Sequence, residues 1–398
     1  MDFSFSEDEA SIQATVRRFG DEFLRPRERK IDEGDQVPRE VAVEMGRIGV
    51  LAMPVPEKYG GMGASASQTE LVAEEIGRAD TSMATAVFFL LEAGWGYLLS
   101  KYGTEEAKQE VLPPVTRGDH FLGIASTEPS GGSDIANIHT QSWREGNEFV
   151  IRGEKAFISG AIEAREWGGG HLTITRQKDG PGYNLLYVPT RTAGVEVTRF
   201  KNMGRTGIST GGIHYDDVRV PAKYLLGKEG GGFPLCLQGF TVARDFVAAA
   251  CVGAADRALE IGKEYIKVRS VFGKPLGQYE GIQFELADLH ALLEAVRWQC
   301  RRAAWLIDQR IFSGKTSHDS EVDLAVAAVK LKAPELAFDA FKKVMMWHGA
   351  SGYTKEVGLE MGLRGVTSYL VGAEGGLNVM RIIMGRELLG KEFLPYRS

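Results

Sequence analysis

Downstream of the Gly-rich linker GKEGGGF (Gly227–Phe233), the chain carries three Ala-rich amphipathic segments. They are FTVARDFVAAACVGAADRALEIGKEYIKVRS, GIQFELADLHALLEAVRWQCRRAAWLIDQRIF and SEVDLAVAAVKLKAPELAFDAFKKVMMWHG. Each keeps the helical period over roughly 25–30 residues. Helices of that length cannot hide their apolar stripes alone, and with a shorter last helix they predict a C-terminal four-helix bundle. The Ala-rich faces allow close packing, within the chain or against another subunit. Pro334 lacks an N–H and is expected to kink the third helix.

The first 117 residues also read as helices. Ser6 followed by Glu7, Asp8 and Glu9 is an N-cap signal, and Ile12, Val16, Phe19 and Phe23 repeat at helical spacing until about Leu24, just before Pro26. Further helical stretches run from about Pro38 to Ile48, Ser67 to Ile76, Ser82 to Tyr102 and Thr104 to Thr116, with the Pro/Gly-rich loop VPEKYGGMGAS between the first two. The texture then changes. EFVIRGEKAFISG, HLTITR, YNLLYVPT, GVEVTRF and TGGIHYDDVRVP are β-prone runs punctuated by Gly, Asn and Pro. No helix is visible between them, so an antiparallel barrel or sandwich is expected instead of parallel βαβ units. The chain therefore reads as an α+β multidomain protein: an N-terminal helical domain (1–117), a β domain (118–229) and a C-terminal helical bundle (230–398).

Charge and composition exclude several classes. A net charge of −6 leaves no basic footprint for nucleic acid. Cys236, Cys251 and Cys300 are far apart and form no C-x-x-C pair, which fits idle thiols in a reducing cytoplasm and no metal site. The start is charged and amphipathic, unlike a secretory signal, and no 18-residue apolar run is evident, so no membrane insertion is expected.

Two short stretches carry chemistry. STEPSGGSD (Ser126–Asp134) is a hydroxyl-rich loop whose backbone could approach a ligand closely, or a decorated β-turn. It is not G-x-G-x-x-G and no helix follows it, which disfavours a Rossmann phosphate site. SYLVGAEGGLNVM (Ser368–Met380) frames a lone carboxylate, Glu374, with Gly and apolar residues. Such a frame raises a carboxyl pKa and suits a base, although a solvated loop Glu is the commoner fate.

Seven motifs in order span almost the whole chain: MDFSFSEDE, PEKYGGMGAS, FLGIASTEPSGGSD, GEKAFISGA, GIHYDDVRVP, RSVFGKPLGQYEGIQFELADL and WHGASGYTKE. Together they resemble the acyl-CoA dehydrogenase family. The resemblance implies FAD as cofactor and α,β-dehydrogenation of an acyl-CoA thioester, by α-proton abstraction and β-hydride transfer to flavin N5. It also implies an electron-transfer flavoprotein or similar acceptor and a homotetramer. Oxidase and reductase variants share the scaffold. A non-catalytic flavin- or acyl-CoA-binding protein and a DNA-associated member of the superfamily are the rival readings.

By the same resemblance Glu374, seven residues before Arg381, is the base. Some relatives place the base immediately before the residue matching Arg244, but Ala243 stands there and cannot take a proton. Asp245 is two residues on, each turning the helix by about 100°. The implied cofactor contacts are Thr127, Ser133, Phe157 (where relatives usually have Trp), Ser159, Met346 (in place of a Gln), Gly349, Gly376 and Asn378, with Arg269, Phe272 and Gln283 reaching the cofactor, in relatives usually across a subunit interface. Ser133, Arg244 and Arg386 are implied for the substrate. Relatives often carry an acid three residues before Arg244, where this chain has Thr241.

The chain departs from its relatives next to the base. Ala373 and Gly376 replace an aromatic residue and a Thr, which opens space for a branched or cyclic acyl group unless Tyr369 fills it. Glu92, in the apolar run VFFLLEAGWGYLL, is a second oddity. It is expected either to contact the substrate or to pair with an Arg such as Arg78. His171 and His348 show no nucleophilic or metal pattern.

Overall fold

The computed structural model describes residues 4–394; Met1–Phe3, where MDFSFSEDE begins, lie outside the described residues. The N-terminal domain contains α1 (Glu7–Phe19), α2 (Glu28–Asp32), α3 (Arg39–Arg47), α4 (Ala66–Ala79), α5 (Ala84–Tyr102) and α6 (Glu105–Thr116). Ser6 and Glu9 form a reciprocal capping box that starts α1. The helix continues past Phe19 as a π-turn, Gly20–Leu24, and Pro26 then sits in a short 3-10 turn. α4 begins on a second capping box, Ser65 with Gln68.

The β domain holds β1 (Phe121–Ala125), β2 (Gln141–Glu145), β3 (Glu148–Ser159), β4 (Gly169–Gln177), β5 (Tyr183–Pro189), β6 (Val195–Phe200) and β7 (Thr210–Pro221). They form one seven-stranded sheet in the order β1-β4-β2-β3-β7-β6, with β5 also on β4. Most pairings are antiparallel as expected, but β4 runs parallel to both β1 and β2. A short helix absent from the sequence reading, α7 (Ala161–Trp167), lies between β3 and β4. Its Gly-flanked seven residues are too few to display a helical period. Buried Glu163 on α7 accepts from the N–H groups of Val37 and Ser209 and so ties the β domain to the N-terminal one.

The C-terminal domain comprises α8 (Gly232–Val268), α9 (Glu280–Ile307), α10 (Ser320–His348), α11 (Leu359–Val371) and α12 (Leu377–Leu389). α10 packs against the other four, and Pro334 lies within it without ending it. The short last helix expected after Glu374 is α12, and a further helix that the sequence did not announce, α11, precedes the Gly-rich loop that carries Glu374. α8 is the core helix. It is long and apolar enough to cross a membrane by length and composition, contrary to the sequence reading, but that window is 83% buried in the fold. Its three-dimensional role explains its hydropathy.

α8 meets α4 backbone to backbone. A Cβ on Gly253 would stand 1.9 Å from Glu74 O, and one on Gly77 would stand 2.1 Å from Ala250 O. Helix propensity alone would have Gly253→Ala stabilise the protein by about 0.5–1 kcal/mol. Packing opposes it, because backbone cannot move aside as a side chain can. We expect the overpacked variant to lose about 1–3 kcal/mol, read as a lower Tm by calorimetry; a raised Tm would refute the contact.

Candidate active site

One cavity of about 1080 Å³ opens where α8, the β domain and the α11–α12 turn converge. It draws together Glu374, Thr127, Ser133, Phe157, Ser159, Arg244, Gly376 and Arg386, residues scattered over more than half the chain. Val87, Leu90 and Leu91 of α5 supply an apolar wall.

Glu374 sits at the centre of the turn between α11 and α12. Three consecutive residues there are left-handed, Ala373 at φ 42°, Glu374 at 61° and Gly375 at 107°. The first two have a Cβ, so this backbone is strained by about 1–3 kcal/mol per residue and needs outside support. Part of that support is Arg244, whose Nε donates to Glu374 O at 2.8 Å. Desolvation in the cleft pushes the Glu374 carboxyl up to about 7, with Arg244, Lys330 and Arg205 pulling the other way. The alternative base position is empty as expected: Ala243 is buried against Gly94. Asp245 is fully buried outside the cavity wall, neither oxygen has a partner among the described residues, and burial raises its carboxyl well above the usual range.

The opposite wall is built by an irregular β3. Between Lys155 and Ile158 the pairing with β7 slips by one residue, and Phe157 falls in the bulge with φ 59°. A bulge re-aims its side chain. Phe157 is left 66% exposed, its ring tilted against that of Phe200 with centroids 5.4 Å apart. Behind it, His171 hydrogen-bonds Ser159 O through Nε2 at 3.1 Å, and burial drives its pKa down to about 4, so it is a neutral structural group.

The STEPSGGSD loop rests on a buried ion pair that the sequence reading missed. Lys155 Nζ donates to Glu128 Oε1 at 2.9 Å and to Ser126 O at 3.0 Å. Burial raises the Glu128 carboxyl, but Lys155 and the N–H groups of His139 and Thr140 outweigh it and bring it to about 2. Burial likewise takes Lys155 down to about 8. Both ends therefore stay ionised between those values. The only sequence signal was a Glu and a Lys inside two motifs already singled out for other residues.

At the mouth, Thr241 hands its hydroxyl to Asp323 Oδ1 at 3.1 Å, and Asp323 also engages His318 at 3.0 Å and Arg386 at 3.4 Å. The acid absent from position 241 is thus present in space, supplied by α10.

Other expected site residues lie elsewhere. Arg269, Phe272, Gln283, Met346 and Gly349 do not line the cavity; they gather at the far end of the bundle, where Tyr265 stacks on His348. Phe272 is 94% and Met346 71% exposed there, and Gln283 bonds Gly277 O. Asn378 is exposed and accepts from Arg381. Glu92 corrects both expectations. It does not line the cavity and does not pair with Arg78, which bridges Asp21 and Glu260. Its Oε1 accepts from Leu122 N at 3.0 Å, while Oε2 has no partner among the described residues. Burial raises this carboxyl well above the usual range. Tyr369 does not fill the space beside Ala373: it is fully buried with its hydroxyl toward Met83 O, whereas Ala373 lines the cavity.

Residues 6–119, 123–218 and 230–389 match the family models described as acyl-CoA dehydrogenase N-terminal, middle and C-terminal domains. The chain is 34% identical, over 98% of its length and all of the relative's, to probable acyl-CoA dehydrogenase YngJ of Bacillus subtilis. It is 31% identical to an acryloyl-CoA reductase (NADH) of Anaerotignum propionicum over 98% of this chain and 96% of that one. Among solved structures, a glutaryl-CoA dehydrogenase of Mycobacterium smegmatis in complex with FADH2 superposes with a TM-score of 0.89 at 26% identity, covering 99% and 97% of the two chains.

Lys155→Met removes one half of the buried pair and strands the Glu128 charge. We expect a loss of about 3–5 kcal/mol and a fall in bound flavin per protein, read from the visible absorbance. Unchanged flavin content and Tm would show that the pair does not hold the loop.

Proposed function

The chain belongs to the acyl-CoA dehydrogenase family, an FAD-dependent oxidoreductase group acting on CH–CH bonds, and from that premise we propose that Glu374 removes the α-proton of a branched or cyclic acyl-CoA. The observation that carries the reading is a carboxyl placed in the cavity with its pKa near 7, close to ambient pH where a general base works best.

The residues present fit FAD. Phe157 offers an uncovered ring face for stacking, and the hydroxyl groups of Thr127, Ser133 and Ser159 line the same cavity. Bound FAD supplies the acceptor for the β-hydrogen and its electron pair. The chain's own residues do the rest. Val87, Leu90 and Leu91 seat the acyl group and exclude water. In the left-handed turn the backbone N–H groups of Glu374 and Gly375 have no acceptor among the described residues. Free N–H donors beside the base suit the charge that develops on a thioester oxygen as the α-proton leaves.

Ala373 at the cavity wall, with Tyr369 turned away, leaves room beside the base for substitution near C2 or C3 of the acyl chain. The mouth formed by Asp323, Arg386 and His318 is where the CoA portion would exit. Transfer of the electrons to an electron-transfer flavoprotein, a tetrameric assembly and a cytoplasmic setting belong to the same proposal. The exposed Phe272 and Met346 support a covering subunit.

Three measurements test this. Glu374→Gln should keep its FAD yet lose about 10²–10⁴-fold in the rate of anaerobic flavin bleaching by acyl-CoA. The base must be ionised to accept a proton, so kcat should rise with pH up to about 7 and level off above it. In a panel of straight, branched, cyclic and dicarboxylic acyl-CoAs, a straight chain with the highest kcat/KM would rule out the branched or cyclic preference.

A further inference from the structure

Lys330 is the least expected residue near the site. It sits in the middle of α10 and is 0% exposed, a rare state for an ammonium group. Its Nζ donates to Tyr369 O at 2.7 Å and to Gly375 O at 3.1 Å. Those two carbonyls bracket Glu374: one belongs to the last turn of α11, the other to the residue just after the base. A cation at a helix C-terminus also meets the negative end of the helix dipole. Arg244 holds the carbonyl between them, that of Glu374 itself. Two cations from two different helices thus grip three carbonyls, one at the end of α11 and two in the strained turn.

We propose that Lys330 is a positioning residue for the dehydrogenation: its ammonium clamps the left-handed turn, fixes the direction of the Glu374 carboxylate and contributes part of the positive field that keeps it ionisable. The proposal rests on Glu374 being the base. The strain supplies the reason for a clamp. Without it, a turn with two non-glycine left-handed residues relaxes, and the carboxylate swings from the α-carbon. The charge supplies the second effect. The groups facing Glu374 are Arg244 and Cys236 from α8, Lys330 from α10, Arg205 from the loop before β7, and Tyr369 from α11. Three of the five are cations that lower its pKa, and Lys330 is one of them. Lys330 itself faces Cys251, Arg244 and Glu374, and burial takes its pKa down to about 8.

The two effects separate by substitution in the FAD-loaded protein. Lys330→Met removes both the donors and the charge. Misplacing a reacting group by an ångström costs about 10²-fold, so kcat should fall by that order while KM for the acyl-CoA stays within about twofold. The acid limb of the kcat–pH profile should move to higher pH, because one cation that favours the carboxylate is gone. Hydrogen–deuterium exchange should quicken across residues 372–376. Lys330→Gln keeps N–H donors without the charge: exchange in the turn should stay near wild type while the acid limb still moves. If Lys330→Met does not fold, the limb of Lys330→Gln decides. An acid limb and turn exchange that match wild type in whichever variant folds would overturn the proposal. A Glu374→Gln variant that bleaches at the wild-type rate would instead end the reading of Glu374 as base.

Discussion

The architecture depends on the crossing of α4 and α8, where Gly77 and Gly253 let the two backbones touch. Helices normally sit about 8–10 Å apart, held off by side chains. Removing the Cβ at the crossing brings the N-terminal domain onto the bundle as one core. Around it, Glu70 and Glu74 of α4 meet Arg297 and Arg301 of α9, so the apolar contact is fenced by charge pairs. Because α8 is fixed in this way, its near end forms one wall of the cavity, with Arg244 directed at the Glu374 turn.

Desolvation shifts the buried groups in and around that cavity. It raises Glu374, Glu92 and Asp245 and lowers Lys155 and Lys330. What separates working groups from silent ones is the partner. Glu128 has Lys155 and two backbone donors and is held low, whereas Glu92 has one donor and is raised. Glu374 lies between these cases, with cations near its carboxyl but their hydrogen bonds directed at backbone carbonyls. A carboxylate bound directly by Arg would be too weak a base. One with no cation nearby would ionise only at higher pH.

Much of this was legible in the sequence. The capping box at Ser6, the strand runs and the three long helices were visible because periodicity and caps are local properties of the chain. The lone Glu in its Gly frame was visible for the same reason. α7 was not, since seven Gly-flanked residues show no period. α11 was not either, because Gly362 and Gly365 interrupt its thirteen residues. The α8 hydropathy was misjudged, and burial against α4, α5 and α10 accounts for it.

The sequence alone determined the order of helical and β domains and the family, and it singled out Glu374, since these rest on residue type and spacing along the chain. Only the tertiary structure decided what surrounds that carboxyl. Arg205, Arg244 and Lys330 come from three elements far apart in sequence, and no spacing rule joins them to Glu374. It also decided that Asp323 supplies the acid missing at Thr241, and that Tyr369 turns away from Ala373. Electrostatics and packing act through space, over distances of a few ångströms that only the folded chain defines.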